Sequence, residues 1–118
     1  MKLLIVEDND QMRRLMKNMM SDLAETINEC RDGSQALDAY IADRPDWVLM
    51  DIKMAEIDGI AATRLLKASC PEANIIIVTD YDDAKLRLAA SLAGACHYVI
   101  KENLLVLRQI ISQAEVCK

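Results

Sequence analysis

The sequence predicts a single α/β sandwich in which parallel strands alternate with helices. Short apolar runs alternate with longer amphipathic ones five times along 118 residues. That alternation implies parallel strands joined by right-handed crossovers. The strand candidates are apolar throughout, as strands covered by helices on both faces are. The length fits one domain, residues 1–118, and 53% hydrophobic residues with only 3% aromatic require a core of Ile, Leu, Val, Ala and Met.

Leu3-Leu4-Ile5-Val6 is the first strand, broken by Glu7-Asp8-Asn9-Asp10. Met12, Leu15, Met16, Met19 and Met20 follow at helical spacing and read as a core-facing stripe. A weaker strand lies near residues 24–30, closed by Asp32-Gly33. Leu37, Tyr40 and Ile41 mark a second helix, stopped by Arg44-Pro45. Trp47 to Met50 is the third strand and ends at Asp51. Beyond Asp58-Gly59, the spacing of Ala61, Leu65 and Ala68 predicts a helix that Pro71 ends. Ile75 to Val78 is β-branched, uncharged and the clearest strand. An alanine-rich helix from Ala84 to Ala93 stops at Gly94, and His97 to Ile100 is a short strand before Lys101. The last helix carries Leu104, Leu107, Ile111 and Ala114 on one face. No repeat, low-complexity segment or internal linker interrupts the series.

Composition narrows the function. A net charge of -5 argues against non-specific binding to nucleic acid or an anionic membrane surface. Cys30, Cys70, Cys96 and Cys117 are widely spaced, so thiols in a reducing cytoplasm are expected rather than a metal cage or disulfide framework. The first apolar run is too short for a signal peptide, and no run could span a bilayer. A soluble, cytoplasmic protein is expected.

The chemistry lies in the residues that follow the strands. Glu7 and Asp8 follow the first, Asp51 the third, Thr79 the fourth and Lys101 the fifth. In an open parallel sheet the carboxyl ends of the strands share one edge, where ligands bind. Three acids, a hydroxyl and an ammonium should therefore face one crevice. Clustered carboxylates raise one another's pKa unless a cation neutralises them. A hard divalent ion suits them, and Mg²⁺ suits a site that keeps several waters. The ammonium and hydroxyl add partners for a tetrahedral anion, as phosphoryl transfer to a carboxylate requires.

The segments Leu4-Ile5-Val6-Glu7-Asp8, Leu49-Met50-Asp51-Ile52-Lys53-Met54, Asp58-Gly59, Val78-Thr79 and Gly94-Ala95…Tyr98…Lys101 resemble the receiver domains of two-component response regulators. The likeness covers essentially the whole chain, in order and on the expected elements. It implies a five-stranded flavodoxin-like sheet of order 2-1-3-4-5. It implies that Asp51 takes a phosphoryl group from a histidine kinase or phosphotransfer protein, in a switch that assists its own phosphorylation and dephosphorylation rather than a metabolic enzyme. Asp8, Asp51 and the backbone carbonyl of Lys53 would ligate Mg²⁺, with Glu7 acting through a metal-bound water. Thr79 and Lys101 would bind the phosphoryl oxygens, and Tyr98 would rotate inward as Thr79 moves. The stretch from Thr79 to Asp83, with Gly94-Ala95, resembles receivers attached to helix-turn-helix DNA-binding domains. The chain is expected to end with the last receiver helix, without the output domain. The resemblance allows a phosphorylation-dependent homodimer, for which the fourth and fifth helices with the strand between them are a common surface in the family, and leaves the surface in this chain open.

Each residue also has a plainer role. Asp8 and Asp10 could cap the first helix. Thr79 could bond locally to backbone, Tyr98 could be a partly buried tyrosine, and His97 a strand residue without catalytic part. Asp80-Tyr81-Asp82-Asp83 reads as an exposed loop ending in a helix cap. Three departures from the family pattern stand out. Ala55 and Glu102 occupy positions where proline is common, the latter leaving the isomer of the Lys101–Glu102 peptide open. Asp80 follows Thr79 where a small residue is usual, and would narrow access and repel a phosphodonor.

Three other functions compete. A haloacid-dehalogenase-type phosphatase would need a second acid where Lys53 stands. A flavodoxin would need a Ser/Thr/Gly-rich phosphate loop where Glu7 to Asp10 stand. A pseudo-receiver, an interaction module of the same fold that accepts no phosphate, is the alternative that keeps every residue.

Overall fold

The computed structural model of the chain describes residues 1–113. Five strands, β1 (Lys2–Val6), β2 (Thr26–Cys30), β3 (Trp47–Met50), β4 (Ile75–Thr79) and β5 (His97–Ile100), alternate with helices α1 (Asp10–Met20), α2 (Ala36–Asp43), α3 (Gly59–Ser69), α4 (Ala84–Ala93) and α5 (Leu104–Ser112). The strands form one parallel sheet in the order β2-β1-β3-β4-β5, the doubly wound flavodoxin-like arrangement expected. β3 and β4 are buried along their whole length and β1 from Leu3 onward, while the edge strands β2 and β5 are only partly covered.

Alternate residues of the central strands feed two cores, one on each face. Leu4, Val6, Val48, Met50, Ile75 and Ile77 meet α2, α3 and α4, whereas Leu3, Ile5, Leu49, Ile76 and Val78 meet α1 and α5. Truncating such a fully buried leucine to alanine typically costs about 2–5 kcal/mol. Tyr40 is buried as the second-helix reading requires, but Ile41 is half exposed. Met16 and Met20 are core, whereas Leu15 of the same stripe is 47% exposed.

The buried face of α3 differs from the expected one. Leu65 and Ala68 point outward, and Ile60, Ala62, Thr63 and Leu66 point in. A threonine interrupts the true apolar stripe, and its hydroxyl is satisfied inside the helix by donating to the Gly59 carbonyl at 2.7 Å.

The helix stops behave as read. Gly94 ends α4 at φ 109, a left-handed conformation that favours glycine. Arg44, before Pro45, ends α2 at φ 48, proline disfavouring the right-handed helical region for the residue before it. Cys30 and Cys70 are buried free thiols. Cys96 is disulfide-bonded, which corrects the expectation of thiols throughout; distance along the sequence says little about distance between folded elements. Cys117, and Ala114 of the last helical stripe, lie outside the described residues.

Candidate functional site

The register of the sheet brings the strand ends level. Val6 pairs with Met50, Met50 with Ile77, and Thr79 with Ile100, so Glu7, Asp8, Asp51 and Lys101 emerge along one edge. They open into a cleft of about 500 Å³ that is also lined by Lys53 and Asp80, with Met12 and Leu15 on its α1 wall.

Two loops shape the acidic wall. Asn9, not Asp8 or Asp10, caps α1, its side chain accepting the Met12 N–H at 2.8 Å. Glu7 and Asp8 are thus left for the cleft. The Asn9 N–H in turn donates to Oε2 of Glu7 at 3.1 Å. After Asp51 the chain folds back so tightly that a Cβ on Gly59 would lie 1.8 Å from the Asp51 carbonyl oxygen. Only glycine fits there, and its N–H donates to the Ile52 carbonyl at 2.7 Å.

Carboxylate oxygens of Glu7, Asp8 and Asp51 all lie within 4.8 Å of one another. Glu7 and Asp51 are buried and Asp8 is exposed. The Lys101 ammonium sits 2.7 Å from Glu7 Oε1 and 3.2 Å from Asp51 Oδ1. Asp51 Oδ1 also accepts the Ile52 N–H at 2.9 Å. Burial, with the Glu7 carboxylate beside it, pushes the Asp51 carboxyl up to about 7, against the pull of Lys101. Asp8 is raised by desolvation and by Glu7. Burial alone would raise Glu7, but Lys101, Asp51 and the Asn9 N–H hold it below the usual range. Burial alone would lower Lys101, but Glu7 and Asp51 more than reverse that.

One ammonium among three acids leaves the cleft electron-rich. Glu7 Oε1 is buried without a well-directed hydrogen-bond donor, although Lys101 lies near. An all-oxygen donor set, partly exposed through Asp8 and carrying three acids against one ammonium, fits a hard divalent cation that keeps water.

The remaining candidates are distributed around this centre. Thr79 is fully buried at the end of β4 and does not line the cleft; its hydroxyl accepts the Tyr81 N–H at 3.3 Å. Tyr98 is partly buried, donates its hydroxyl to the Tyr81 carbonyl at 2.6 Å, and has the Arg87 guanidinium 4.6 Å from its ring centre. Asp80 stands exposed at the rim with Oδ2 4.0 Å from Lys101 Nζ. Asp83 is the cap of α4, and His97 lies on β5 with its ring 6.2 Å from that of Trp47. No cis peptide bond occurs among the described residues, so Lys101 reaches its partners with a trans bond to Glu102.

Two residues at the site were not singled out from the sequence. Tyr81 lines the cleft, with the Lys53 ammonium 4.8 Å from its ring centre. Arg13, hidden inside the methionine stripe of α1, is buried and donates to the Glu7 carbonyl at 2.9 Å while pairing with Asp10 and Glu29. The signal for Arg13 was a charge on the inner helix face, three residues from Asp10.

Comparison with known proteins agrees with this geometry. Residues 3–112 match the family described as response regulator receiver domain. The uncharacterized transcriptional regulatory protein YhcZ of Bacillus subtilis (strain 168) is 34% identical over 116 residues, covering 93% of this chain and 54% of that protein. Response regulator MprA of Mycolicibacterium vanbaalenii is 31% identical over 100 residues, covering 85% and 43%. The chain thus spans about half the length of these curated relatives. Among solved structures, response regulator TrrA from Thermotoga maritima, in complex with Mg²⁺-BeF, superposes with a TM-score of 0.85 at 27% identity, covering 97% of this chain and 98% of that one. No helix among the described residues is long and apolar enough to cross a membrane. The chain belongs to the response regulator receiver domains of two-component signalling.

Proposed function

We propose that residues 1–118 act as a Mg²⁺-dependent phosphoacceptor switch whose acceptor is Asp51. The observation that carries this is the meeting of Glu7, Asp8 and Asp51 within 4.8 Å, with the Lys101 ammonium beside them in one open cleft. An oxygen of Asp51 attacks the phosphorus of a phosphohistidine on a kinase or phosphotransfer protein. The P–N bond breaks, its electron pair returns to the imidazole, and an acyl phosphate forms. Asp8, Asp51 and the Lys53 carbonyl would hold a Mg²⁺ ion, with Glu7 supporting it through a water. Mg²⁺ supplies charge neutralisation for the acids and the incoming phosphoryl oxygens. Lys101 binds one phosphoryl oxygen, and Thr79 leaves its local bond to Tyr81 to bind another. Tyr98, whose hydroxyl donates to the carbonyl of the same residue, Tyr81, repacks as that loop moves.

The same reading makes the domain a cytoplasmic signalling module that directs an output through a phosphorylation-dependent homodimer and does not itself bind nucleic acid. Relatives described as a transcriptional regulatory protein and a response regulator, each about twice the length of this chain, support a role in transcriptional control, as the receiver part of a helix-turn-helix regulator. Asp80 at the rim favours one second reading, a pseudo-receiver whose site is closed to phosphodonors.

Mass spectrometry after incubation with acetyl phosphate or phosphoramidate separates the two. A gain of about 80 Da, one phosphoryl group, that requires Mg²⁺ and is lost in Asp51→Asn is the expected result. Failure to label both this protein and Asp80→Ala would establish the pseudo-receiver.

A further inference from the structure

Asp32 follows β2 and entered the sequence reading only as a turn residue. Its carboxylate is buried and accepts three backbone N–H groups. Oδ2 takes Ser34 at 2.8 Å and Ile57 at 3.3 Å, and Oδ1 takes Glu56 at 2.9 Å. Burial would raise this carboxyl, yet the N–H donors of Glu56, Ser34 and Ile57 hold it at about 2. The Ser34 bond is local, but the other two reach 24 and 25 residues along the chain into the segment between β3 and α3.

Most of that segment faces solvent, with Met54 and Ile57 packed against the core and Asp58 capping α3. Lys53, Ala55, Glu56 and Asp58 are exposed, and only Met54 and Ile57 are partly buried. A loop with few apolar contacts takes its shape from hydrogen bonds. One anchor is at its base, where Gly59 donates to the Ile52 carbonyl; the other is Asp32. Gly33 brings the two backbones into contact, since a Cβ there would lie 2.5 Å from the Ile57 carbonyl oxygen and 2.8 Å from the Ala62 Cβ. Lys53 to Ala55 lie between the two anchors, with Met54 packed against the core.

We infer that Asp32 is a positioning residue for the metal site, clamping the far end of the β3–α3 loop so that the Lys53 carbonyl is held beside Asp51. This rests on the Mg²⁺ reading above. Asp32 touches neither metal nor phosphoryl group; it acts through the backbone of Glu56 and Ile57. A carboxylate suits the task because it only accepts, whereas an amide would turn a donor against one of three N–H groups.

The test compares the unaltered protein with Asp32→Asn, Asp32→Ala and a control, Leu107→Ala, which weakens the opposite core without touching the loop. Amide exchange is followed by NMR without metal, and Mg²⁺ affinity by calorimetry, at a temperature where all four are folded. Faster exchange at Glu56 and Ile57 with at least tenfold weaker Mg²⁺ binding, as loss of outer-shell support typically gives, is expected for both Asp32 variants, milder for Asn. Leu107→Ala should bind Mg²⁺ normally. Asp32 variants that bind Mg²⁺ as tightly as the unaltered protein, or no more weakly than the control, overturn the positioning role alone. An unaltered protein that takes up no Mg²⁺ overturns the metal reading and this inference with it.

Discussion

Nζ of Lys101 lies 2.7 Å from Oε1 of Glu7, with both side chains almost completely closed to water. The same ammonium is 3.2 Å from Asp51, so one buried cation serves two buried acids. Removing one partner from such a set leaves uncompensated charge, which typically costs about 3–5 kcal/mol. Lys101→Met should therefore destabilise the metal-free protein by about that amount in urea unfolding. If the acids form a cation site, saturating Mg²⁺ should recover much of the loss. An equal loss with and without Mg²⁺ would remove the cation site from the account.

Asp51 titrates in the opposite sense to an ordinary paired carboxylate. Its pKa is raised from 3.8 to about 7 by burial and by Glu7, so the folded state holds the proton more tightly than the unfolded one. Stability from this group is full below pH 3.8 and is lost as pH rises to 7. Replacing it by neutral Asn should raise the stability of the metal-free protein at pH 8. The ceiling is about 4 kcal/mol, at about 1.4 kcal/mol per unit. The gain should vanish near pH 4 and shrink when Mg²⁺ is added at pH 8. Melting curves at the two pH values check it; no stabilisation at pH 8 would mean that Asp51 is not strained when charged.

The sheet was legible because β1, β3 and β4 are largely apolar runs that both faces bury, and the site because each functional residue stands at or near the end of a strand, Lys101 following the partly covered β5. What escaped was set by tertiary contact. Thr63 is polar yet buried, because its hydroxyl bonds within its own helix, so the apolar pattern pointed to Leu65 instead of Leu66. Asp8 and Asp10 both looked like caps, and the neutral Asn9 between them took the role. Arg13 and Asp32 act through backbone groups distant in sequence or in another element, and neither periodicity nor motif encodes those partners. Thr79 was expected just after the fourth strand and is instead its last residue, with its hydroxyl accepting the Tyr81 N–H and not lining the cleft.

Arg13 carries the next prediction. Its guanidinium donates to the Glu7 carbonyl at 2.9 Å and pairs with Asp10 at 2.6 Å and Glu29 at 3.2 Å, fixing the turn that carries Glu7 and Asp8. Arg13→Gln should cost about 1–3 kcal/mol, the range for leaving buried polar partners unmet. It should also weaken Mg²⁺ binding several-fold by loosening that turn. Arg13→Lys keeps the charge but not the planar fork, and should restore less than half of either loss. Urea unfolding and calorimetry read the two effects separately; a stability loss with unchanged Mg²⁺ affinity would confine Arg13 to the fold.

The proposed role of Asp80 as an access gate is open to a direct kinetic test. The Asp80 carboxylate is exposed at the rim of the cleft, with Oδ2 4.0 Å from the Lys101 ammonium. At that distance an exposed charge contributes little to stability, so Asp80→Ala should leave the melting temperature nearly unchanged. Its effect should be kinetic. Acetyl phosphate carries the same sign of charge, and removing Asp80 should speed its reaction with Asp51 several-fold at low ionic strength. Added salt should narrow the difference, because screening over about 10 Å at 0.1 M weakens rim charges first. Asp80→Asn separates charge from bulk: matching the alanine rate assigns the barrier to repulsion, and matching the unaltered rate assigns it to the side chain's size. Equal labelling rates for all three proteins would show that Asp80 points to solvent and gates nothing.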